Sequence, residues 1–267
     1  MCIAAISDIH GNLPALEAVL VDIARCGADV TVNLGDIVSG PLWPRETAAR
    51  LMALDLPTIR GNHERQLLTQ PRAQMGAADA HADALLTPTQ RDWLRSLPLA
   101  VWLGPDVFCC HGTPTSDLDY WLETVVPGFE RGASPGIRMA TIDEARARLG
   151  ARREPAASLR LCGHTHVPRA IDLGADGLVL NPGSVGLQAY DDARPHLHVV
   201  ENGSPHARWA LARRESAGWS VELHAVAYDW ETAARQAEAN RRPDWADALR
   251  SGYVGRFEAD LESIPPS

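Results

Sequence analysis

Short apolar runs alternate with amphipathic stretches along most of the chain, and the first run begins almost at the amino terminus. Cys2–Ile6 is entirely apolar and ends at Ser7, which predicts a buried strand. Leu13–Cys26 has apolar side chains at helical spacing, a proline in its first turn and Gly27 behind it, which predicts a helix. A further apolar run at residues 28–34 predicts a second, parallel strand, so the chain begins with a strand–helix–strand unit.

The alternation continues further along the chain. Short apolar runs predict strands at residues 57–59, 107–110, 158–162 and 177–180. Two later runs, at residues 197–200 and 219–226, are interpreted as an antiparallel pair. Residues 231–250 predict a terminal helix that is interrupted near Pro243.

The domain organisation follows from the lack of repeats, low-complexity segments and long linkers in the sequence. Residues 112–155 are rich in proline and scattered glycine, which is typical of an insertion that frames a site. We therefore expect a single domain over residues 1–267. It would have a lid-like insertion at about 112–155 and C-terminal strands and a helix at about 195–260.

Composition narrows the classes of partner. The 267 residues are 45% hydrophobic and carry a formal net charge of −9. No block of Lys and Arg is present, so duplex nucleic acid is not an expected partner. No apolar run reaches membrane-spanning length and no basic leader precedes the first strand, so we expect a cytoplasmic protein without a membrane partner. The oligomeric state stays open.

The five cysteines are odd in number and lack Cys-x-x-Cys spacing. Most of them lie in apolar, strand-like runs: Cys2, Cys109, Cys110 and Cys162. This favours reduced, buried thiols over a disulfide framework or a cysteine-rich zinc site.

Polar residues able to bind metal ions follow the apolar runs. They comprise two carboxylates, four imidazoles and one amide: Asp8, His10, Asp36, Asn62, His111, His164 and His166. In an extended segment residues two apart point the same way, so Asp8 and His10 are expected to face one object beyond the sheet. On their own these two residues fit a capped strand end better than a metal site, but the later groups reverse that preference.

The ligand set also indicates the chemistry. Mixed nitrogen and oxygen donors without thiolate suit manganese, iron, cobalt, nickel or zinc rather than calcium. Seven ligands exceed the need of one ion and fit two ions that share a carboxylate, about 3.5–4 Å apart. Two divalent ions exceed the charge of two carboxylates, and the excess would attract a phosphate and acidify a water molecule. These residues therefore predict phosphoester hydrolysis.

Five blocks occur in an order that resembles the calcineurin-like metallophosphoesterases. The blocks are Asp8-Ile9-His10, Gly35-Asp36, Gly61-Asn62-His63-Glu64, His111 and Gly163-His164-Thr165-His166. The stretch after Asp36, residues 37–41, resembles the small bacterial phosphoesterase and phosphodiesterase branch of that family. The resemblance spans residues 1–190 and implies a four-layered αββα sandwich of two mixed β-sheets flanked by helices.

The resemblance also implies roles for individual residues. One ion would be held by Asp8, His10, Asp36 and His166, and the other by Asp36, Asn62, His111 and His164. Asp36 would bridge the two ions, with manganese as the first expectation for their identity. His63 would not bind metal but would lie over the phosphate and assist departure of the leaving group, while a metal-bridging hydroxide attacks. Asn62 and Arg60 are candidate substrate contacts, although Arg60 fits an ordinary surface arginine equally well.

The function predicted from the sequence is therefore hydrolysis of a small phosphomonoester or phosphodiester. A hydrolase of dinucleoside polyphosphates or of phosphoprotein is a narrower alternative, and a non-catalytic binding scaffold of the same fold is the alternative from another class. A scaffold is expected to lose His63 or several ligands, and all of them are present. Tyr120 and Trp121 either stack on the substrate or pack under the lid. The remaining histidines are expected to lie outside the site: His81, His196, His198, His206 and His224.

Overall fold

The computed structural model describes residues 1–150 and 157–258. Within these ranges the strands are β1 (Cys2–Ile6), β2 (Val30–Asn33), β3 (Ala100–Trp102), β4 (Val107–Cys110), β5 (Glu123–Val125), β6 (Ile137–Met139), β7 (Leu159–Leu161), β8 (Arg169–Asp172), β9 (Leu178–Asn181), β10 (Ala189–Asp192), β11 (His198–Glu201), β12 (Ala207–Glu215) and β13 (Gly218–Val226). The α-helices are α1 (Leu13–Cys26), α2 (Pro44–Leu54), α3 (Asn62–Thr69), α4 (Ala77–Leu85), α5 (Pro88–Ser96), α6 (Ile142–Ala147), α7 (Trp230–Ala239) and α8 (Pro243–Ser251).

Two mixed sheets form the centre of the molecule. The first has the order β13-β12-β1-β2, in which β1 is parallel to β2 and antiparallel to β12. The second has the order β3-β4-β7-β9-β8, with a parallel centre and antiparallel edges. Parallel strands align their carboxyl ends. The loops after β1 and β2 therefore meet at the carboxyl edge of the first sheet, and the loops after β4 and β7 meet at the carboxyl edge of the second sheet.

Strand β1 is buried on both faces because its side chains alternate between two cores. Ile3 and Ala5 pack between the sheets against Leu161 of β7. Ala4 and Ile6 face the opposite way and pack against helix α1. A further cluster packs α6 and its surroundings against the outer face of the second sheet. The four-layered αββα arrangement expected from the sequence is therefore confirmed.

Helix α1 follows the sequence signals closely. The side-chain oxygen of Asn12 accepts a hydrogen bond from the amide of Ala15 at 3.2 Å, and Pro14 lies in the first turn. Gly27 ends the helix with a left-handed backbone at φ 67°. The cap and the stop fix both ends of the element that covers β1.

The C-terminal strands differ from the sequence prediction. Residues 197–200 do not pair with residues 219–226: β11 pairs with β10, and β13 pairs with β12. The segment that forms β12 reads Ala-Arg-Trp-Ala-Leu-Ala-Arg-Arg-Glu, whose residues favour helix, and so no strand was predicted there. Pairing with β1 on one side and β13 on the other overrides that local preference.

Other boundaries are adjusted. Residues 57–59 form a single parallel bridge between Asn33 and Thr58 rather than a strand. The terminal helix is interrupted as predicted, by residues 240–242 between α7 and α8. Residues 151–155 of the proposed insertion and 259–260 of the proposed C-terminal segment lie outside the described ranges. Among the described helices, none combines the length and the apolar character needed to span a membrane.

The double-sided burial of β1 makes a testable prediction. Ile6→Ala should lower the free energy of unfolding by about 2–5 kcal/mol, because the Ile6 side chain is fully buried between the first sheet and the helical layer. Urea denaturation followed by circular dichroism measures the change. Val21→Ala on the outer side of α1 is the control, since Val21 is 51% exposed and should change stability by less than about 0.5 kcal/mol. Equal effects of the two substitutions would contradict the layer assignment.

Candidate metal centre

A left-handed backbone brings most of the predicted ligands together at the strand ends. Five of them have positive φ: Asp8 (55°), His10 (52°), Asp36 (53°), His164 (70°) and His166 (61°). Asp and His adopt this conformation more readily than most residues, but it still costs free energy outside glycine. Asp8 and His10 therefore do converge, but through tight turns beyond β1 and not along an extended strand, as the sequence argument assumed.

Backbone hydrogen bonds hold these turns against one another. The amide of Asp8 donates to the carbonyl of Gly35 at 2.9 Å, and the amide of His10 donates to the carbonyl of Asp36 at 3.0 Å. The carbonyl of Asp8 accepts from the Ser184 hydroxyl at 2.7 Å and from the Gly186 amide at 2.9 Å. The conformation of each ligand loop therefore depends on a neighbouring loop.

Glu64 also positions the ligand loops, a role that was not predicted from the sequence. Its buried carboxylate accepts hydrogen bonds from the amides of Asp36 at 2.9 Å, Ile37 at 2.8 Å and Gly61 at 3.0 Å. It thereby joins the loop after β2 to the start of α3. This role of Glu64 was predictable from the sequence, because a glutamate in the third position of a helix commonly accepts a hydrogen bond from the amide of the capping residue.

Gly61 allows a close approach between α3 and the Asp36 carboxylate. A Cβ atom at this position would lie 2.1 Å from Oδ1 of Asp36. That oxygen also accepts a hydrogen bond from the amide of His63 at 3.0 Å. The glycine in the Gly61-Asn62-His63-Glu64 block is therefore required so that α3 can approach the Asp36 carboxylate.

The first ligand group consists of Asp8, His10 and His166, whose donor atoms lie within 4.8 Å of one another. The Nδ1–H of His10 donates to the carbonyl of Ser39, and that of His166 donates to the carbonyl of Leu187, each at 2.7 Å. The two remaining nitrogens, both Nε2, face each other at 3.0 Å. In the neutral imidazoles these nitrogens are both acceptors, so no hydrogen bond joins them.

The second ligand group consists of Asp36, His111 and His164, again with donor atoms within 4.8 Å. Nδ1 of His111 donates to the carbonyl of Leu34 at 2.8 Å. Its Nε2 lies 3.0 Å from Oδ2 of Asp36 and 3.1 Å from Oδ1 of Asn62. Nε2 of His164 donates a hydrogen bond to the carbonyl of Leu118 at 3.0 Å. Nδ1 is therefore the nitrogen of His164 that is available to bind a metal ion.

The protonation of the imidazoles fits metal ligation. Burial lowers the pKa of His10 to about 4, and burial beside His111 lowers the pKa of His164 to about 3. Burial also holds the pKa of His166 well below its ordinary value. Burial alone would lower the pKa of His111, but the carboxylates of Asp36 and Asp8 outweigh it and raise that pKa to about 9. A proton on His111 thus takes the position of a cation, and metal binding would displace it.

The two carboxylates have contrasting acidities. Burial, reinforced by Asp36, raises the pKa of Asp8 to about 7. Burial would raise the pKa of Asp36 too, but His111 and His63 beside it hold that pKa well below its usual range. Asp36 is therefore more fully ionised at neutral pH than Asp8. It is also the carboxylate that the family resemblance implies as the bridge between the two ions.

The donor set fits divalent transition ions. Paired lone pairs at 3.0 Å between His10 and His166 are repulsive unless a cation lies between or beside them. The outer nitrogen of each of these rings is bonded to a backbone carbonyl, which fixes the tautomer and orients the ring. The two donor groups therefore fit divalent metal ions, and Oδ1 of Asn62 lies beside the second group.

His63 lies at the edge of this site with a partner of its own. Its Nδ1–H donates to Oδ1 of the buried Asp79 at 2.9 Å, and its ring lies edge-on to that of His10 at 5.5 Å between centroids. Burial alone would lower the pKa of His63, but Asp36 and Asp79 outweigh it and raise that pKa to about 10. Asp79 comes from α4, sixteen residues along the chain, and no sequence signal linked it to His63.

A cavity of about 840 Å³ adjoins the ligand groups, a volume typical of small-molecule sites. Side chains of opposite charge and three aromatic rings line it: Tyr120, Arg148, Tyr190, Asp191, Asp192, Arg194, Arg242, Asp244, Trp245, Arg256 and Glu258. Part of the wall belongs to the proposed insertion and part to α8, which the sequence reading did not include in the site. Trp245 of α8 lies edge-on to the ring of His10 at 5.8 Å.

The other candidates separate into cavity and core. Tyr120 lines the cavity, and its hydroxyl lies 2.7 Å from that of Tyr190 and 3.1 Å from Nε2 of His198. Trp121 packs in the core and donates from Nε1 to the carbonyl of Ala145 at 3.0 Å. Arg60 is absent from the described lining of the cavity, so its contact with phosphate stays a prediction from the sequence.

Comparison with known proteins gives the family. The model of the calcineurin-like phosphoesterase family matches residues 1–168. The uncharacterized protein MJ0912 of Methanocaldococcus jannaschii is 26% identical over 254 residues, which cover 91% of this chain and 94% of that protein.

Two crystal structures share the fold. A metallophosphoesterase from Sphaerobacter thermophilus has 26% identity and a TM-score of 0.69, over 94% of this chain and 100% of that one. The protein PH1004 of Pyrococcus horikoshii OT3 has 20% identity and a TM-score of 0.68, over 94% of this chain and 98% of that one. Since the family model covers more than half of the chain and includes every position from Asp8 to His166, this protein belongs to the calcineurin-like phosphoesterase family.

Proposed function

We propose that the protein is a dimetal-dependent hydrolase of phosphoester bonds in small phosphorylated compounds. The observation that carries the proposal is the convergence of two adjacent donor groups, in the first of which Nε2 of His10 and Nε2 of His166 face each other at 3.0 Å with no proton between them. Two imidazole nitrogens in this state bind a cation and not each other. When bound, two divalent ions would activate a water molecule and screen the oxygens of a phosphate.

The chain's own residues would orient the substrate. Oδ2 of Asp36 faces Nε2 of His111, and Oδ1 accepts a hydrogen bond from the amide of His63. These two contacts fix the plane of the Asp36 carboxylate. The hydrogen bond to Asp79 occupies Nδ1 of His63 and leaves Nε2 for a phosphate or leaving-group oxygen. A raised pKa keeps the ring charged, as required of a proton donor or of a group that stabilises negative charge.

The size of the cavity favours a small substrate over an extended polymer. Phosphomonoesters, phosphodiesters and dinucleoside polyphosphates all fit such a volume, and a substrate panel separates them. A phosphoprotein would have to insert its phosphorylated side chain into the cavity that Tyr120 and Trp245 help to line. The non-catalytic scaffold is disfavoured, because every proposed ligand and His63 are present and the described side chains of both groups face one another.

Metal removal tests the proposal directly. Metal-stripped protein should be inactive, and a single added ion such as Mn²⁺ should restore hydrolysis, because the site supplies donor atoms but no electrophile of its own. Turnover of phosphatase and phosphodiesterase substrates, with metal content measured in parallel, checks this. Full activity in excess chelator after verified removal of metal would contradict the dimetal assignment, and absence of hydrolysis with both ions bound would favour a scaffold.

Asp36→Asn should be the most damaging ligand substitution. It removes the carboxylate expected to contact both ions and half of the anionic charge that offsets them, so we expect both ions to be lost together. Metal analysis after dialysis gives the stoichiometry. Asp8→Asn is the matched control and should release one ion preferentially. Retention of two ions per chain in Asp36→Asn would show that Asp36 is not the bridge.

His63→Ala should separate chemistry from metal binding. We expect two retained ions and a fall in kcat of about 10²–10⁴-fold, the usual effect of losing a positioned proton donor. If His63 protonates the leaving group, the fall should be smaller for an activated aryl ester than for an alkyl phosphate. Loss of metal from this variant would show that His63 is a ligand.

Asp79→Asn provides the companion test of the His63 pair. The carboxylate raises the pKa of His63, so its removal lowers that pKa and should move the alkaline limb of the pH–kcat profile to lower pH. We expect normal metal content and a smaller loss of kcat than in His63→Ala, since the imidazole itself remains. An unchanged pH profile would show that Asp79 has no influence on the step that His63 assists.

A further inference from the structure

A third group of metal-competent side chains shares no residue with the candidate metal centre. It consists of Asp22, Cys26 and His224, with one donor atom from each within 4.8 Å of the others. Asp22 and Cys26 are one turn apart on α1 and therefore lie on the same face of that helix. His224 lies on β13, the edge strand of the first sheet. The group thus joins a helix to the edge of the sheet that it covers.

Trp209 holds two members of this group in place. Its indole Nε1–H donates to Oδ2 of Asp22 at 3.0 Å, and its ring stacks on His224 with centroids 4.0 Å apart and planes at 19°. Trp209 itself is fully buried between α1 and the sheet. Orientation of ligands by a buried neighbour is typical of metal sites, where such contacts fix ring and carboxylate directions.

Among the described residues, no hydrogen-bond partner reaches the enclosed Nε2 atom of His224. Oδ2 of Asp22 lies 3.5 Å from Nδ1, and Oε2 of Glu222 lies 3.7 Å from Nε2, both outside normal hydrogen-bond distance. An enclosed imidazole nitrogen in this state is unusual, and a coordinated ion would satisfy it.

The local charge also favours a cation. The carboxylates of Asp22 and Glu222 lie beside the thiol of Cys26, and Arg213 is a positive group in contact with this cluster. Burial, followed by these two carboxylates, raises the pKa of Cys26, so the thiol stays protonated when no ion is bound. A divalent ion reverses this balance, because it binds the thiolate and carboxylate directly and releases the thiol proton to solvent.

We propose that Asp22, Cys26 and His224 form a site for one thiophilic divalent cation, with zinc as the best match. Thiolate, imidazole and carboxylate are the three donor types that zinc accepts, and water or Glu222 can complete four-coordination. The site differs from the candidate metal centre in containing sulfur. The ion would fasten β13 to α1, and the partial exposure of Asp22 and His224 gives it a path of entry.

Cobalt substitution distinguishes this site from the candidate metal centre. Thiolate bound to Co²⁺ gives an intense near-ultraviolet charge-transfer absorption, whereas nitrogen and oxygen donors alone give only weak bands. Metal-stripped protein titrated with Co²⁺ should therefore develop the sulfur band and bind one more ion per chain than Cys26→Ser. That variant should lack the band and keep its hydrolytic activity, because Cys26 belongs to neither ligand group of the candidate metal centre.

Three further variants complete the test. Cys2→Ser is the matched control and should keep the band, although the Cys2 sulfur also lies beside Arg213, 3.3 Å from its Nη1 atom. His224→Ala should weaken Co²⁺ binding at this site by at least about tenfold, the lower end of the effect of losing even an outer contact to a metal ligand. Asp36→Asn should keep the band even when it abolishes hydrolysis, so failure of the proposed function leaves this test intact. The proposal is overturned if wild-type protein shows no sulfur band, if the band survives in Cys26→Ser, or if His224→Ala binds Co²⁺ normally.

Discussion

The left-handed backbone at the strand ends is the constraint on which the candidate metal centre depends. Each residue in this conformation costs on the order of 1 kcal/mol or more, and five proposed ligands adopt it. Local sequence cannot stabilise these turns by itself. They persist because Asp8 and His10 donate to the loop after β2, while Glu64 binds the amides of that loop and of Gly61. The ligands are therefore positioned by mutual support between loops from different parts of the chain.

This mutual support explains what the sequence could reveal. Apolar runs located the strand ends, and parallel strands place their ends at one edge, so the approximate position of most proposed ligands was predictable. Asn62 is the exception, because it follows a single bridge and begins α3. The resemblance supplied the four layers, which periodicity alone did not. The argument that Asp8 and His10 converge by extended alternation was wrong in its geometry, because both residues follow the strand and lie in left-handed turns.

Residues that act through distant contacts were not predictable. Asp79 meets His63 only because α3 and α4 pack together, and Trp245 meets His10 only because α8 forms part of the cavity wall. Neither residue stands next to a motif. The pairing of β12 with β1 and β13 was missed for a related reason, since its residues favour helix and only the neighbouring strands make it extended. Local patterns reveal where chemistry is placed but not what surrounds it.

The pairing of β1 with β12 also has a consequence for the order of assembly during synthesis. Cys2 pairs with Arg213, and the loop after β1 is held by Ser184 and Gly186. On the ribosome, Asp8, His10 and Asp36 therefore emerge long before the segments that fix their conformation. Residues 1–168, which the family model matches, are therefore synthesised before the later strands that complete their fold. We expect the loops that carry Asp8, His10 and Asp36 to reach their final conformation only after β12 has left the exit tunnel.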